Sequence, residues 1–164
     1  MDDVSAITAL IARYADCMDN GDLDGVGALF ADGRIALADG TPLAEGAEAV
    51  AALYRATTRL HEDGTPRTAH LVSNLVIDVD DAAASAAARS RFCVVQQRAG
   101  ALEPIITGVY RDRFARDPHG WHFVERRMVP HLLGDLSDHL LLDPALLATE
   151  PPAAEPPAAE PPPA

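Results

Sequence analysis

The 164-residue chain has room for one domain and a tail, and is too short for a two-domain enzyme with its own cofactor module. It is 48% hydrophobic, enough to bury a core without disulfide or metal staples, although aromatic residues make up only 5%. Thirteen Lys and Arg against 25 Asp and Glu give a net charge of -12, which repels phosphate backbones and anionic lipid and argues against nucleic-acid or membrane-surface partners.

A helix is expected from about Val4 to Met18, where Ile7, Leu10, Ile11, Tyr14 and Met18 recur at helical spacing. Asp2 and Asp3 place negative charge at its start, where the helix dipole favours it. Asn20 and Gly21 end it, and Asp22 caps a second helix through Leu23, Val26, Leu29 and Phe30. A short strand over Arg34 to Ala38 lies between the turns Asp32-Gly33 and Asp39-Gly40, and a third helix runs from about Ala47 to Thr58 with Val50, Leu53, Tyr54 and Thr57 on one side.

From His70 onward the period becomes alternating. Four strands are expected, about His70 to Val79, Ala84 to Arg98, Pro104 to Arg116 and Trp121 to Val129, separated by Asp80-Asp81, Ala99-Gly100 and the run Asp117 to Gly120. Helices followed by an antiparallel meander give an α+β plan, and a twisted sheet folded around the first helix leaves a funnel suited to a small molecule. If alternation holds, His70, Val72, Asn74 and Val76 share one face, as do Ser90, Phe92, Val94 and Gln96, and Ile106, Gly108, Tyr110, Asp112 and Phe114. One imidazole, a few amides and a phenol among apolar neighbours suit an uncharged, largely apolar ligand.

The domain is expected over residues 1–142 and a disordered tail rich in Pro, Ala and Glu over 143–164. The EPPAA repeat from Glu150 holds seven of the thirteen prolines and cannot join a helix or sheet core. Leu132 to Leu147 is too apolar to hang in water and must dock. Cys17 and Cys93 lack CxxC or zinc spacing and read as two buried free thiols. With an acidic start and no long apolar run, a cytoplasmic location is expected. His119 and His122 have no partners at metal-site spacing, and no glycine-rich phosphate loop or G-x-S-x-G elbow occurs, which leaves chemistry without metal or cofactor.

Four blocks carry a family likeness: Tyr14-Ala15-Asp16 with Asp19-Asn20-Gly21-Asp22; Arg67-Thr68-Ala69-His70-Leu71-Val72-Ser73-Asn74; Gly108-Val109-Tyr110-Arg111-Asp112; and Gly120-Trp121-His122-Phe123 with Glu125-Arg126-Arg127. Together they resemble the SnoaL-like branch of the nuclear transport factor two-like superfamily over roughly Asp3 to His139. The resemblance implies a cone-shaped curved sheet wrapped around N-terminal helices, and a superfamily that hosts dehydratases, isomerases, cyclases and non-catalytic oxygenase subunits alike.

Scytalone dehydratase is the nearest catalytic analogue. The resemblance makes His70 its Arg-Thr-x-His histidine and Asp19 the aspartate that partners it. A carboxylate that accepts one imidazole N–H fixes the tautomer and leaves the other nitrogen as a base. The dehydratase tyrosine before the aspartate is replaced by Met18, its second tyrosine falls near Leu37, its second histidine corresponds to Gln96 and its asparagine to Tyr110. Tyr14 or Tyr110 is then the phenolic donor to a carbonyl oxygen. Substrate contacts are expected from Leu37, Val72, Asn74, Phe92, Gln96 and Gly108. Two readings stay open at this level: a cofactor-independent lyase, isomerase or cyclase acting on a small hydrophobic cyclic carbonyl compound, and a non-catalytic binding or oxygenase-subunit-like scaffold. A homodimer through the outer sheet face is expected of either.

Overall fold

A computed structural model describes residues 2–142. Helix α1 (Asp3–Asp19) opens the chain, with the Asp2 carboxylate accepting from the Ser5 amide at its start. It buries Ile7, Ile11, Tyr14 and Met18, as the helical spacing predicts. Asn20 closes α1, and Gly21 turns the chain with a φ of 71°, in the left-handed region that glycine enters without cost. Asp22 then caps α2 (Leu23–Leu29) through the Gly25 amide.

Strand β1 (Arg34–Ala36) and strand β2 (Pro42–Glu45) form a short hairpin ahead of helix α3 (Ala47–Thr57). The long strands β3 (Thr68–Asp80), β4 (Ser85–Arg98), β5 (Ala101–Asp117) and β6 (Gly120–Leu133) form the expected antiparallel meander. The complete sheet has the order β2-β1-β6-β5-β4-β3 and is mixed, because β1 pairs parallel with β6. The meander was legible from alternation. Strand β2 was not, since its four residues are largely exposed and carry no pattern.

The core lies between the concave face of the sheet and the three helices, where Tyr14, Phe30, Val50, Phe92, Phe114 and Phe123 pack together. Along β4 every second residue from Ala86 to Gln96 is buried, as alternation requires. On β3 the phase changes. A bulge between Ser73 and Val76 leaves Asn74 exposed with a φ of 50°, and beyond it Leu75, Ile77 and Val79 face the core while Val76 faces out. The expected face of His70, Val72, Asn74 and Val76 therefore holds only as far as Val72.

Ion pairs stitch the sheet, one of them buried on both sides. Arg126 on β6 grips Asp112 on β5 with Nε–Oδ1 and NH2–Oδ2 contacts of 2.8 and 2.6 Å, both side chains almost fully buried. Glu125 accepts from Arg127 at 2.7 Å and from Arg34 on β1, which ties the parallel pair together. Cys17 is buried and Cys93 half-buried, and both are free thiols. Among the described residues no helix is long and apolar enough to cross a membrane. The Pro-rich tail lies outside the described residues.

Candidate active site

The C-terminal end of α1 delivers Asp19 to the start of β3. A carboxylate there opposes the helix dipole, and the last turn holds no basic residue to offset it. Three donors from β3 do so instead. Asp19 Oδ1 accepts the Thr68 hydroxyl at 2.8 Å and meets His70 Nδ1 at 2.6 Å, while Oδ2 accepts the His70 amide at 2.8 Å. Burial raises the Asp19 pKa, but the His70 and Thr68 hydrogen bonds outweigh it and hold the group below the ordinary carboxylate value. An ionised carboxylate only accepts, so His70 carries its proton on Nδ1, and Nε2 is the nitrogen that meets the cavity. The His70 side chain is 5% exposed.

That cavity holds about 340 Å³. Tyr14, Tyr54, Tyr110 and Phe92 supply its aromatic walls, and Leu37 and Leu43 approach from the β1–β2 side. The hydroxyls of Tyr14 and Tyr54 lie 2.7 Å apart, and the Tyr14 ring stands edge-on to both Tyr110 and His70. Phe92 stacks on Tyr110 with centroids 4.3 Å apart. Beneath the phenols the Arg126 guanidinium sits 4.1 Å from the ring centres of both Tyr14 and Tyr110. Burial works against the charge on Arg126, but Asp112 more than restores it, so Arg126 stays a cation. Burial also pushes the phenols of Tyr14, Tyr54 and Tyr110 above the ordinary tyrosine value, which keeps them as O–H donors.

The segment after β6 closes the cavity with Leu136, His139, Leu140 and Leu142. It is held by backbone bonds from Gly134 N to Ile105 O, Arg59 N to His139 O and Leu141 N to Thr57 O, each 2.8 to 2.9 Å. Arg98 adds ion pairs to Asp135 at 2.8 Å and Asp138 at 3.1 Å. Of the apolar run, Leu136, Leu140 and Leu142 dock over this pocket, while Leu132, Leu133 and Leu141 stay exposed. Among the described residues no group of three or more His, Cys, Asp or Glu could hold a metal ion. A second hollow of about 390 Å³, lined by residues such as Asp78, Ser85, Arg113 and Val124, lies away from the His70 cavity and is lined by neither imidazole nor phenol.

A family model described as a SnoaL-like domain matches residues 1–127. The chain belongs to the SnoaL-like family. Solved structures agree on the fold. A protein from Novosphingobium aromaticivorans, described as NTF2-like with a cystatin-like fold, is 27% identical, over 77% of this chain and 80% of that one, with a TM-score of 0.64. A candidate scytalone dehydratase from the same bacterium is 21% identical, over 80% and 86% of the two chains, with a TM-score of 0.62. The beta subunit of a candidate aromatic-ring-hydroxylating dioxygenase, again from that bacterium, is 23% identical over 79% and 90%, with a TM-score of 0.60. A search of curated protein sequences finds no match.

Within this SnoaL-like cone, His70, Tyr14, Tyr110, Phe92 and Leu37 line one cavity, and Asp19 stands behind His70. Four of the expected contact residues do not line it. Asn74 is exposed on the bulge. Val72 packs half-buried against the core. Gln96 is fully buried and donates from Nε2 to Pro66 O at 3.0 Å and Asp138 O at 3.1 Å, so it ties the closing segment to the sheet. Gly108 lies under the Phe92 ring, where an added Cβ would stand 2.6 Å from a ring carbon and 2.3 Å from Val129 O. The lining residues that were missed include Tyr54 and His139. Tyr54 was visible only as part of the α3 apolar side, and His139 lay in a leucine run whose docking site no local pattern reveals.

Proposed function

We propose that this SnoaL-like protein is a cofactor-independent lyase, isomerase or cyclase that moves protons on a small hydrophobic cyclic carbonyl compound. The observation that carries the reading is the Asp19–His70 contact of 2.6 Å with the other imidazole nitrogen turned to an apolar cavity. His70 Nε2 takes a proton from the carbon next to the substrate carbonyl, and the Asp19 carboxylate stabilises the imidazolium that forms. The developing oxyanion is met by phenolic hydroxyls, either Tyr110 or the Tyr14–Tyr54 pair. Arg126 adds a fixed positive charge beneath those rings. His70 then returns the proton to a second carbon in an isomerisation, or to a departing hydroxyl in a dehydration.

The fold shared with a candidate scytalone dehydratase supports this reading, and the fold shared with a dioxygenase beta subunit supports a non-catalytic scaffold as the second one. Deuterium uptake next to the carbonyl of 1-indanone and related cyclic ketones, followed by NMR in heavy water, separates them. Exchange by the native protein that falls about 10²- to 10⁴-fold in His70→Gln, with ketone affinity kept, is the expected result. Exchange that is unchanged in the variant removes His70 as the base. Binding without exchange by the native protein leaves the scaffold reading in place.

A further inference from the structure

His139 is an imidazole that the proposed proton transfer leaves unused. It lines the cavity shared by His70, and comes from the closing segment rather than the sheet. The residue is 7% exposed, and its Nδ1 is buried with no hydrogen-bond partner. Its backbone is fixed at both ends: the amide donates to Leu136 O at 3.0 Å and the carbonyl accepts from Arg59 N at 2.8 Å. Neighbouring Asp138 is held by Arg98 and by Gln96. The ring is therefore held in place by its segment and not by polar contacts of its own.

A buried N–H without an acceptor costs more than a buried lone pair without a donor, so the sealed Nδ1 is the unprotonated nitrogen and Nε2 carries the hydrogen. Burial and the nearby His70 push the His139 pKa down to about 4, with Asp19 opposing, so near neutral pH the ring is an uncharged donor. The two imidazoles then differ in kind. His70 Nε2 presents a lone pair, whereas His139 Nε2 presents a hydrogen.

We propose that His139 is a specificity-determining anchor whose Nε2–H binds a second oxygen of the substrate, so that the preferred ligand is a cyclic hydroxy-ketone or diketone rather than a simple ketone. This rests on the cavity being a carbonyl site, as in the function proposed above, but not on His70 acting as a base. The apolar walls bind the ring skeleton without regard to its substituents, and the discrimination comes from the donor that His139 adds to the cavity.

Calorimetric titration of the full chain with 1-indanone and with 5-hydroxy-1-indanone, whose aryl hydroxyl cannot be eliminated, tests it. The native protein is expected to favour the hydroxy-ketone about three- to tenfold, the worth of one net hydrogen bond. His139→Phe, which keeps an apolar ring, brings that ratio to about one while 1-indanone affinity stays within about threefold, and His139→Gln, which keeps an N–H donor, restores much of it. A native protein that exchanges deuterium into 1-indanone yet shows no preference for the hydroxy-ketone loses the anchor and keeps the base, so the two fail separately. A native protein that binds neither ketone, or binds both equally, overturns the inference. So does a ratio preserved in His139→Phe, or affinity lost equally for both ketones in that variant.

Discussion

Asp19 occupies a position where helix chemistry alone disfavours it, and its three bonds to β3 are the reason it is tolerated. Those bonds also link the site to acid stability. A carboxylate whose pKa is lowered by folding adds stability above its unfolded value of 3.8, and the gain is lost as pH falls below that value. His139 acts over a higher range. Its folded pKa near 4 lies below the unfolded 6.5, so as pH drops from 6.5 the unfolded chain binds a proton that the folded one refuses. The groups that act on it are His70, His61 and Asp19, of which only Asp19 favours the cation. Stability is therefore expected to fall by up to about 3 kcal/mol between pH 6.5 and 4, at roughly 1.4 kcal/mol per pH unit. Urea titrations across this range should show a clearly shallower decline for His139→Gln. An unchanged slope would mean that His139 is hydrated in the folded protein. At this scale the Asp19–His70 pairing was legible through the family resemblance that the Arg-Thr-x-His segment and the acid ending α1 carry. Tyr54 and His139 were not legible, because nothing near them in sequence marks a residue aimed at a distant cavity.

Alternation located the long strands but could not locate the bulge. Asn74 takes a left-handed φ that asparagine tolerates better than most residues, and one such residue reverses every later side chain on the strand. That change of phase is why Asn74 does not line the cavity. Gly108 illustrates a second limit: a glycine in a strand signals close approach, and here the approaching groups are the Val129 carbonyl and the Phe92 ring. Gly108→Ala is expected to destabilise the fold by about 1 to 3 kcal/mol by pushing Phe92 off Tyr110 and into the cavity, with weaker ketone binding beside the lower melting temperature. A normal melting temperature would show that the β5–β6 spacing relaxes freely. The β4–β5 hairpin turns on Ala99 and Gly100, both at positive φ (46° and 85°), a geometry that suits asparagine followed by glycine. Ala99→Asn should raise the melting temperature by about 2 to 5 °C, since alanine in this region costs about 1 kcal/mol or more. A fall on thermal denaturation would contradict that reading of the turn.

For the molecule as a whole, the order of helices and strands already implied a curved sheet around α1, because a meander with one apolar face must cover that face. What the order could not show was which surface the leucine run covers, since docking depends on contacts between segments far apart in the chain. The outer face keeps Leu71 and Val76 more than half exposed. Dimerisation across it is expected to give a light-scattering mass near twice 17.4 kDa, and the monomer value at micromolar concentration would contradict it. Proton transfer at the site turns on a single hydrogen, the one between His70 on β3 and Asp19 at the end of α1. Nitrogen-15 NMR of the imidazole side chains, at a pH where His70 is neutral, locates it directly. The Nδ1–H form is expected, with a strongly downfield Nδ1 proton that Asp19→Asn abolishes. An Nε2–H form in the native protein, unaffected by that substitution, would contradict it.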